Sequence, residues 1–592
     1  MSIINQLSPG IAVNEIDLTT IVPSVATSVG AYVGQFNWGP CDDPSLISDE
    51  NQLIEVFGKP VSTIENSFSA VSFFSCANFL SYTNALYVVR TVDANTANNA
   101  TANVSRTLLC KNQDTFESTY FYANNTNSFG PFAARYPGTL GNSLTVSICA
   151  KNSDFTDWNY SRYFDNAPGT SQYIIEKTGN YVANDELHIV VIDSAGGFTG
   201  KANTIIEKFA FLSKSFDAVD INGRSSYYKE YLKQNSQYIY AMDPVDFSNT
   251  STTWGKLSSD LTMGSGFYSP SNYTVTLTGG ANGSTPSDGA LELNWDRFKD
   301  KDRYEISLAF VGSSSVGVAQ HVLDEIVLGP ESESPTVGRK DLMLFVSPRF
   351  SDVVNKPNQE VERIVTDNDS FLNTLSRSSS YMVSDSGWKY QYDRYNNVYR
   401  WVPLNADIAG LCAYTDSVAD PWFSPGGFNR GKIKNVVKLA WSPNLTERDA
   451  LYKNGVNPVI FMKGEGVVLL GDKTMQAKPS AFDRINVRRL FITLEKAISR
   501  SARYSLFEFN DAFTRAQFVA MIEPYLRTVK GRRGIIDFKV ICDETNNTPD
   551  VIDRNAFVGD IYIKPARSIN FIQLNFVAVR SGVEFSTVIG QF

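Results

Sequence analysis

The sequence predicts a multidomain chain of mixed α/β and α+β character, and three observations carry that expectation. The chain has 592 residues, several times the usual size of one domain. Apolar runs of strand length alternate with stretches whose apolar residues recur at helical spacing. The part beyond about residue 484 reads as two long helices followed by strands.

Taken in order, residues 8–18 read as a turn followed by a short strand, with Ile11 and Val13 on one face and Ala12, Asn14 and Ile16 on the other. No hairpin partner lies nearby, so this strand is expected to pair with a distant segment or with another chain. Residues 29–34 and 85–92 are strand-length apolar runs, and Ser67–Leu80 between them has helical spacing, which together predict a βαβ-like lobe. From Asp93 to about Ser128 the composition shifts to Asn, Thr, Ala and Ser, and an exposed excursion is expected. Strands are predicted at Leu144–Ala150 and Leu187–Asp193, helices at Thr204–Ser213, Val318–Val327 and Val361–Leu372, and a strand at Asp341–Ser347.

In the C-terminal part Val487, Leu490, Phe491, Leu494, Ala497 and Ile498 share one helical face. Arg489, Lys496, Arg500 and Arg503 fall on the opposite one, as a cationic stripe. Residues 484–533 contain eleven Lys/Arg and four Asp/Glu, a basic island in a chain of net charge −9. A second helix is predicted from about Asp511, with Phe513, Phe518 and Ile522 inward and a bend at Pro524. Strands follow at Ile535–Ile541, Asp560–Ile563 and Ile569–Val579.

Composition excludes several functions. An acidic chain lacks the basic footprint that nucleic acid or an anionic membrane requires. The N-terminus has neither a basic segment nor a long apolar one, so no signal peptide is expected, and no apolar run approaches the ~20 residues of a membrane span. Six widely spaced Cys without Cys-x-x-Cys, and only two His, predict buried thiols rather than disulfides or zinc. With His188 and His321 alone, a histidine-dependent nucleophile is hard to build, and no Gly-x-Ser-x-Gly elbow occurs. Gly426-Gly-Phe-Asn-Arg-Gly-Lys432 has the spacing of a phosphate loop, but Ile433 stands where a magnesium-binding hydroxyl belongs. Gly464-Glu-Gly466 with Gly471-Asp-Lys-Thr474 lacks the third glycine of a dinucleotide fingerprint and reads as a turn. No catalytic, cofactor or metal site is therefore expected. The cationic stripe has two readings, docking onto an acidic surface or a solvated helix face, and both stay open.

Longer strings then point to a family. Leu7-Ser-Pro-Gly-Ile11, Phe36-Asn-Trp-Gly-Pro40, Phe57-Gly-Lys-Pro60, Val88-Val-Arg-Thr-Val92 and Tyr136-Pro-Gly-Thr-Leu-Gly-Asn142 come in order along the chain. Further on stand the segment Trp401–Cys412, Ser424-Pro-Gly-Gly-Phe-Asn-Arg-Gly431, Gly471-Asp-Lys-Thr474, the segment Phe482–Phe491, Cys542-Asp-Glu-Thr-Asn-Asn-Thr-Pro549 and Ile563-Lys-Pro-Ala-Arg-Ser-Ile569. Together these resemble the tail sheath proteins of large contractile-tailed bacteriophages, over nearly the whole chain.

The resemblance implies sixfold rings stacked helically around a rigid tail tube, whose contraction drives the tube through the host envelope. It implies a structural virion protein in the tail, assembled in the host cytoplasm. The implied partners are further copies of the chain, the tube protein, and the baseplate and terminator or neck proteins. It divides the chain into an N-terminal arm (1–22), the first segment of an outer αβ lobe (23–94), a reduced protruding insertion (95–130), a middle mixed α/β region (131–430) and an inner C-terminal, tube-facing domain (431–592). The inner domain is completed by the arm, and the middle is subtilisin-like in fold with no triad. On this reading Arg489, Lys496, Arg500 and Arg503 face the tube. Ile11, Val13, Glu15 and Asp17 of the arm, with Phe576, Val577 and Val579 near the other end, add strands to a neighbouring subunit's sheet. The sheath of a phage-derived injection particle would read the same way.

Overall fold

The computed structural model describes residues 25–61, 67–103, 106–121, 129–243, 253–330, 338–570 and 573. They fall into two units, a large one of Pro23–Pro421 with Pro425–Arg500, and a small one of Trp422–Ser424 with the residues from Ser501 onward.

The large unit begins as expected. Strand β1 (Gly30–Gly34), the short β2 (Ser45–Ile47), helix α1 (Phe68–Leu80) and strand β3 (Leu86–Arg90) form the βαβ lobe. Helix α1 is buried almost all round because its thirteen residues, FSAVSFFSCANFL, carry no charge on any face. The chain then leaves for an antiparallel sheet of β4 (Leu144–Cys149), β5 (Glu186–Asp193), β6 (Thr204–Ser213) and β7 (Tyr273–Thr276), in the order β7-β4-β5-β6. It returns through β8 (Leu308–Phe310), β9 (Met343–Val346) and β10 (Met382–Asp385), a hairpin of β11 (Trp388–Asp393) and β12 (Val398–Pro403), helix α2 (Asn405–Val418) and β13 (Val456–Asn457).

These strands make a seven-stranded sheet, β13-β10-β9-β8-β1-β3-β2, parallel throughout except for β2. Both faces are buried, as a parallel sheet requires. The period-two alternation sorts them: Tyr32, Phe310, Met343, Phe345 and Val383 face one core with α1 and α2, while Ala31, Val33, Ala309, Leu344 and Met382 face the other.

Three expectations are corrected. Thr204–Ser213 is strand β6, not a helix. Ile205, Ile206, Phe209 and Leu212 mimic helical spacing, but pairing with β5 decides the conformation, and two register shifts along that pair break the alternation that would have revealed it. The segment after Asp93 is no exposed excursion. Ala100, Thr101, Leu108, Cys110, Phe116 and Phe121 are buried, and Asn99, itself inaccessible, donates to the carbonyls of Cys110 and Ala134. The predicted helix over Val361–Leu372 is broken into two short turns, Glu362–Thr366 and Phe371–Leu375. The helix over Val318–Val327 is present and widens to π geometry from Val322.

Several of the strings quoted above converge in space. Arg90 of Val88–Val92 is fully buried and donates to the carbonyls of Phe36 and Gly39, from Phe36–Pro40, and of Pro137, from Tyr136–Asn142. Arg484 of Phe482–Phe491 pairs with Asp472 of Gly471–Thr474 at 2.9 Å. These motifs are joints within the fold.

Candidate assembly interface

The cationic stripe was the sharpest candidate, and the structure redistributes it. Helix α3 (Ile485–Ala502) buries Val487, Leu490, Leu494 and Ala497 as expected. Arg489 is also buried, 4% exposed, and donates to the Cys412 carbonyl at 3.0 Å and to Asp416 at 2.7 Å. Burial alone would lower its pKa, and the Asp416 carboxylate more than reverses that, so the guanidinium is firmly charged. Lys496 donates to the Ile306 carbonyl and the Ser307 hydroxyl and lies 3.5 Å from Asp341. Burial nonetheless lowers its pKa. Only Arg500, half-exposed and paired with Glu305 at 2.8 Å, and Arg503 remain on an accessible surface. A continuous exposed stripe is therefore corrected to two internal ties and two surface cations. The acidic partners Asp416 and Asp341 lie far away in sequence, so helix periodicity alone could not locate them.

The small unit is built around helix α4 (Ala512–Gly531), which carries Pro524 in its interior, and the hairpin of β14 (Ile535–Ile541) and β15 (Asp560–Pro565). Asp511 caps the helix by accepting from the Thr514 amide at 2.8 Å. Phe518, Ile522, Leu526 and Val529 form its inner stripe, with Phe518 against Phe557. Trp422 joins this core, its indole donating to the Arg532 carbonyl. Phe513 was expected inward and is 73% exposed.

A clasp of amides fixes the segment before α4. Asn547, 2% exposed, donates to the Val558 carbonyl at 2.7 Å and accepts from the Val558 amide at 2.9 Å. Asn510 donates to Asn547 at 3.2 Å and to the Ala556 carbonyl at 2.8 Å, and it accepts from Arg515 at 3.0 Å. This explains the amide-rich string Cys542–Pro549, quoted above only for the family resemblance. In the same stretch of chain, Tyr504, Leu506, Phe507, Phe509 and Phe513 are all exposed. Phe507 is fully exposed at φ +71°, a left-handed conformation that a bulky side chain rarely adopts.

The other expected site residues, Ile11, Val13, Glu15, Asp17, Phe576, Val577 and Val579, lie outside the described residues. The weaker catalytic motifs have structural roles. Gly426–Gly431 packs its backbone on β-structure, with the Gly427 amide donating to the Leu469 carbonyl, and Lys432 pairs with Glu465. His188 stacks on Phe164, with Nε2 at 2.9 Å from the Asn166 carbonyl and Nδ1 accepting from the Phe211 amide, while His321 pairs with Asp296. All six cysteines are buried and free. Among the described residues no cluster of His, Cys, Asp or Glu is arranged for a metal, and no helix is long and apolar enough to cross a membrane.

Charges tied inside the large unit and apolar side chains exposed on the small one point to surfaces that other macromolecules cover. Comparison with known proteins gives the particular family. Residues 338–475 match the phage tail sheath protein central domain, and residues 477–578 match the phage tail sheath C-terminal domain. The chain is 34% identical to the tail sheath protein of Vibrio phage KVP40, over 99% of this chain and all of that one. It is also 34% identical to the tail sheath protein of Enterobacteria phage T4, over 99% of each. The crystal structure of a sheath tail protein from Listeria innocua shares the fold, with TM-score 0.52 and 13% identity over 92% of this chain and 94% of that one. The chain belongs to the phage tail sheath protein family, whose members are structural proteins and not enzymes.

Proposed function

We propose that this protein polymerises as sixfold helical rings around a tail tube and forms a contractile sheath whose shortening drives the tube through the host cell envelope. The observation that carries this reading is the similarity to tail sheath proteins along the entire length of both chains. The partners are other copies of the chain, the tube protein, the baseplate and the terminator or neck proteins. The sheath is assembled in the host cytoplasm.

The mechanism needs domains that move as rigid bodies and interfaces that exchange one packing for another. Buried ties suit the first requirement. Lys389–Asp407 and Arg400–Asp393 are both inaccessible pairs, at 2.9 and 2.7 Å, and Arg90 adds three buried hydrogen bonds. For the second, the extended sheath is a kinetically trapped packing, so its free energy is stored at assembly and no nucleotide is hydrolysed.

The tube-facing assignment is sharpened to the accessible end of the stripe. Arg500 and Arg503 reach the tube, while Arg489 and Lys496 hold the helix that carries Arg500. Each exposed pair is worth only ~0–1 kcal/mol, which suits a grip that is repeated many times and released together. The strands about Ile11–Asp17 and Phe576–Val579 tether neighbours by main-chain hydrogen bonds that survive sliding. Heterologous contacts of this kind do not close, and so they generate helical arrays.

The test is negative-stain electron microscopy of the purified chain, alone and with preformed tubes of its cognate tube protein. Striated cylinders, decorated tubes or both are expected. Dispersed particles under both conditions contradict the reading. Deleting residues 1–18 should leave soluble monomers that no longer polymerise, and normal cylinders from that variant would remove the tether.

A further inference from the structure

We propose that Thr27, Asp416 and Arg489, with Ser307 and Lys496 beside them, form a latch that fixes the root of the N-terminal arm, so that the arm leaves the large unit from a set point and is already aligned when it meets a neighbouring copy. The inference rests on the tether reading above and goes beyond it by assigning Asp416, Arg489 and Lys496 as the residues that position the arm.

The segment needs such a device. Residues 25–28, by which the arm enters the large unit, are only half-buried, and full burial begins at Gly30 with the interior strand β1. Val25, Ala26, Thr27 and Ser28 border an open cleft of about 650 Å³ that Tyr82, Thr83 and Ser417 also line. Apolar packing at the root is therefore limited, and hydrogen bonds set its position.

Two sets of hydrogen bonds do so, both reaching from helix α3. In the first, the Thr27 hydroxyl donates to Asp416 Oδ2 at 2.7 Å, and Arg489 donates to the same oxygen at 2.7 Å and to the Thr27 carbonyl at 3.3 Å. Thr27 is thus gripped at its side chain by a carboxylate of α2 and at its backbone by a guanidinium of α3. In the second, about two turns further along the same face, Lys496 donates to the Ser307 hydroxyl at 2.7 Å, and that hydroxyl donates to the Ala26 carbonyl at 3.0 Å. The Ser307 amide also donates to the Val29 carbonyl at 2.9 Å.

Charge makes the grip firm. The Arg489 and Asp416 side chains are 4% and 9% exposed, and hydrogen bonds to an ionised partner are roughly twice as strong as neutral ones. Asp416 Oδ1 is buried and has no hydrogen-bond partner among the described residues, so the donors on Oδ2, Arg489 and Thr27, are what compensates this carboxylate. What the latch supplies is preorganisation. An arm whose root wanders must be ordered each time it docks, and that cost is subtracted from the strand pairing it makes. An arm rooted at Thr27 is ordered beforehand, and load applied to it passes into α2 and α3, whose Ile408, Leu411, Ile485 and Ile492 belong to the core on one face of the sheet.

The experiment uses the full chain and is made at Thr27, because Arg489→Met would strand Asp416 and destabilise the fold for an unrelated reason. Thr27→Val keeps the shape and removes the hydroxyl, whereas Thr27→Ser keeps the hydroxyl. Either variant should lower the thermal midpoint of the monomer by no more than about 3 °C. The critical concentration for polymerisation, read by sedimentation, should rise roughly tenfold in Thr27→Val, as the loss of one hydrogen bond to a charged group implies, and should stay at the wild-type value in Thr27→Ser.

Equal critical concentrations for the wild type and Thr27→Val overturn the latch. So does a Thr27→Ser variant as impaired as Thr27→Val, or a Thr27→Val monomer that unfolds. The chain lacking residues 1–18 separates the latch from the reading on which it rests. If that chain fails to polymerise while Thr27→Val assembles normally, the tether stands and the latch does not. If it polymerises normally, both fall, as they do if the wild type forms no polymer alone or on preformed tubes.

Discussion

The seven-stranded sheet of the large unit and the exposed side chains about Phe507 in the small unit invert the usual placement of polar and apolar groups. Around the sheet, charge is inside. Lys389 and Asp407 meet with neither side chain accessible, as do Arg400 and Asp393. In the small unit four aromatic rings, those of Tyr504, Phe507, Phe509 and Phe513, are outside. The difference teaches where each kind of interaction is decisive. Buried pairs add little net stability over a well-packed apolar core, but breaking one leaves an uncompensated charge, so they penalise any deformation of the body. Exposed rings contribute nothing to the monomer and become favourable only when another surface covers them.

The comparison is broken most strongly at the buried pair. Lys389→Met strands the Asp407 carboxylate, whose second oxygen already lacks a hydrogen-bond partner, and should cost ~3–5 kcal/mol in chemical denaturation. Adding Asp407→Leu removes the orphaned charge and should recover most of that loss. If the double variant is as unstable as the single one, the pair is not the origin of the cost.

Next in size is Asp385 at the end of β10, fully buried, accepting from Ser347 at 2.7 Å and from the Gly387 amide at 2.8 Å. Burial pushes its carboxyl up to about 8. Its pKa is raised on folding, so its contribution is full below the ordinary carboxylate range and is lost as pH rises from about 4 towards about 8. Asp385→Asn should flatten that slope and stabilise the protein by about 1–3 kcal/mol at pH 8. The check is thermal unfolding at pH 5 and pH 8, and equal shifts at both would contradict the assignment.

Smaller effects on folding are expected in the accessible parts. Phe509→Ala should change monomer stability by less than ~0.5 kcal/mol while weakening polymerisation, read by sedimentation. Arg500→Ala breaks a half-exposed pair and should cost at most ~1 kcal/mol of stability while reducing decoration of preformed tubes. A variant that unfolds instead would show that the pair is structural.

How much of this was legible in the sequence follows from the range of the forces involved. Strand β1, helix α1 and strand β3 were readable because local alternation and helical spacing agree with the burial the sheet imposes. Hairpin strand β14 and the Asp511 cap were readable for the same reason. Strand β6 was misread because its partner, with two register shifts, overrides its spacing. The stripe on α3 was misread because the carboxylates that draw Arg489 and Lys496 inward come from Asp416 and Asp341, beyond any window of local pattern. Phe513 was placed inward for a good reason that fails here. Periodicity assigns an apolar face, but it does not say whether the surface that covers that face belongs to the same chain.

The most direct test of the account is the salt dependence of the assembled polymer, measured by sedimentation and electron microscopy at about 0.1 M and about 1 M sodium chloride. Screening at the higher concentration shortens the Debye length to ~3 Å and removes most surface electrostatics. With the ion pairs Lys389–Asp407 and Arg400–Asp393 inaccessible to salt and the exposed side chains about Phe507 apolar, cylinders should persist at high salt, although they form more slowly. Cylinders that dissolve as salt rises would show that exposed charge holds the subunits together.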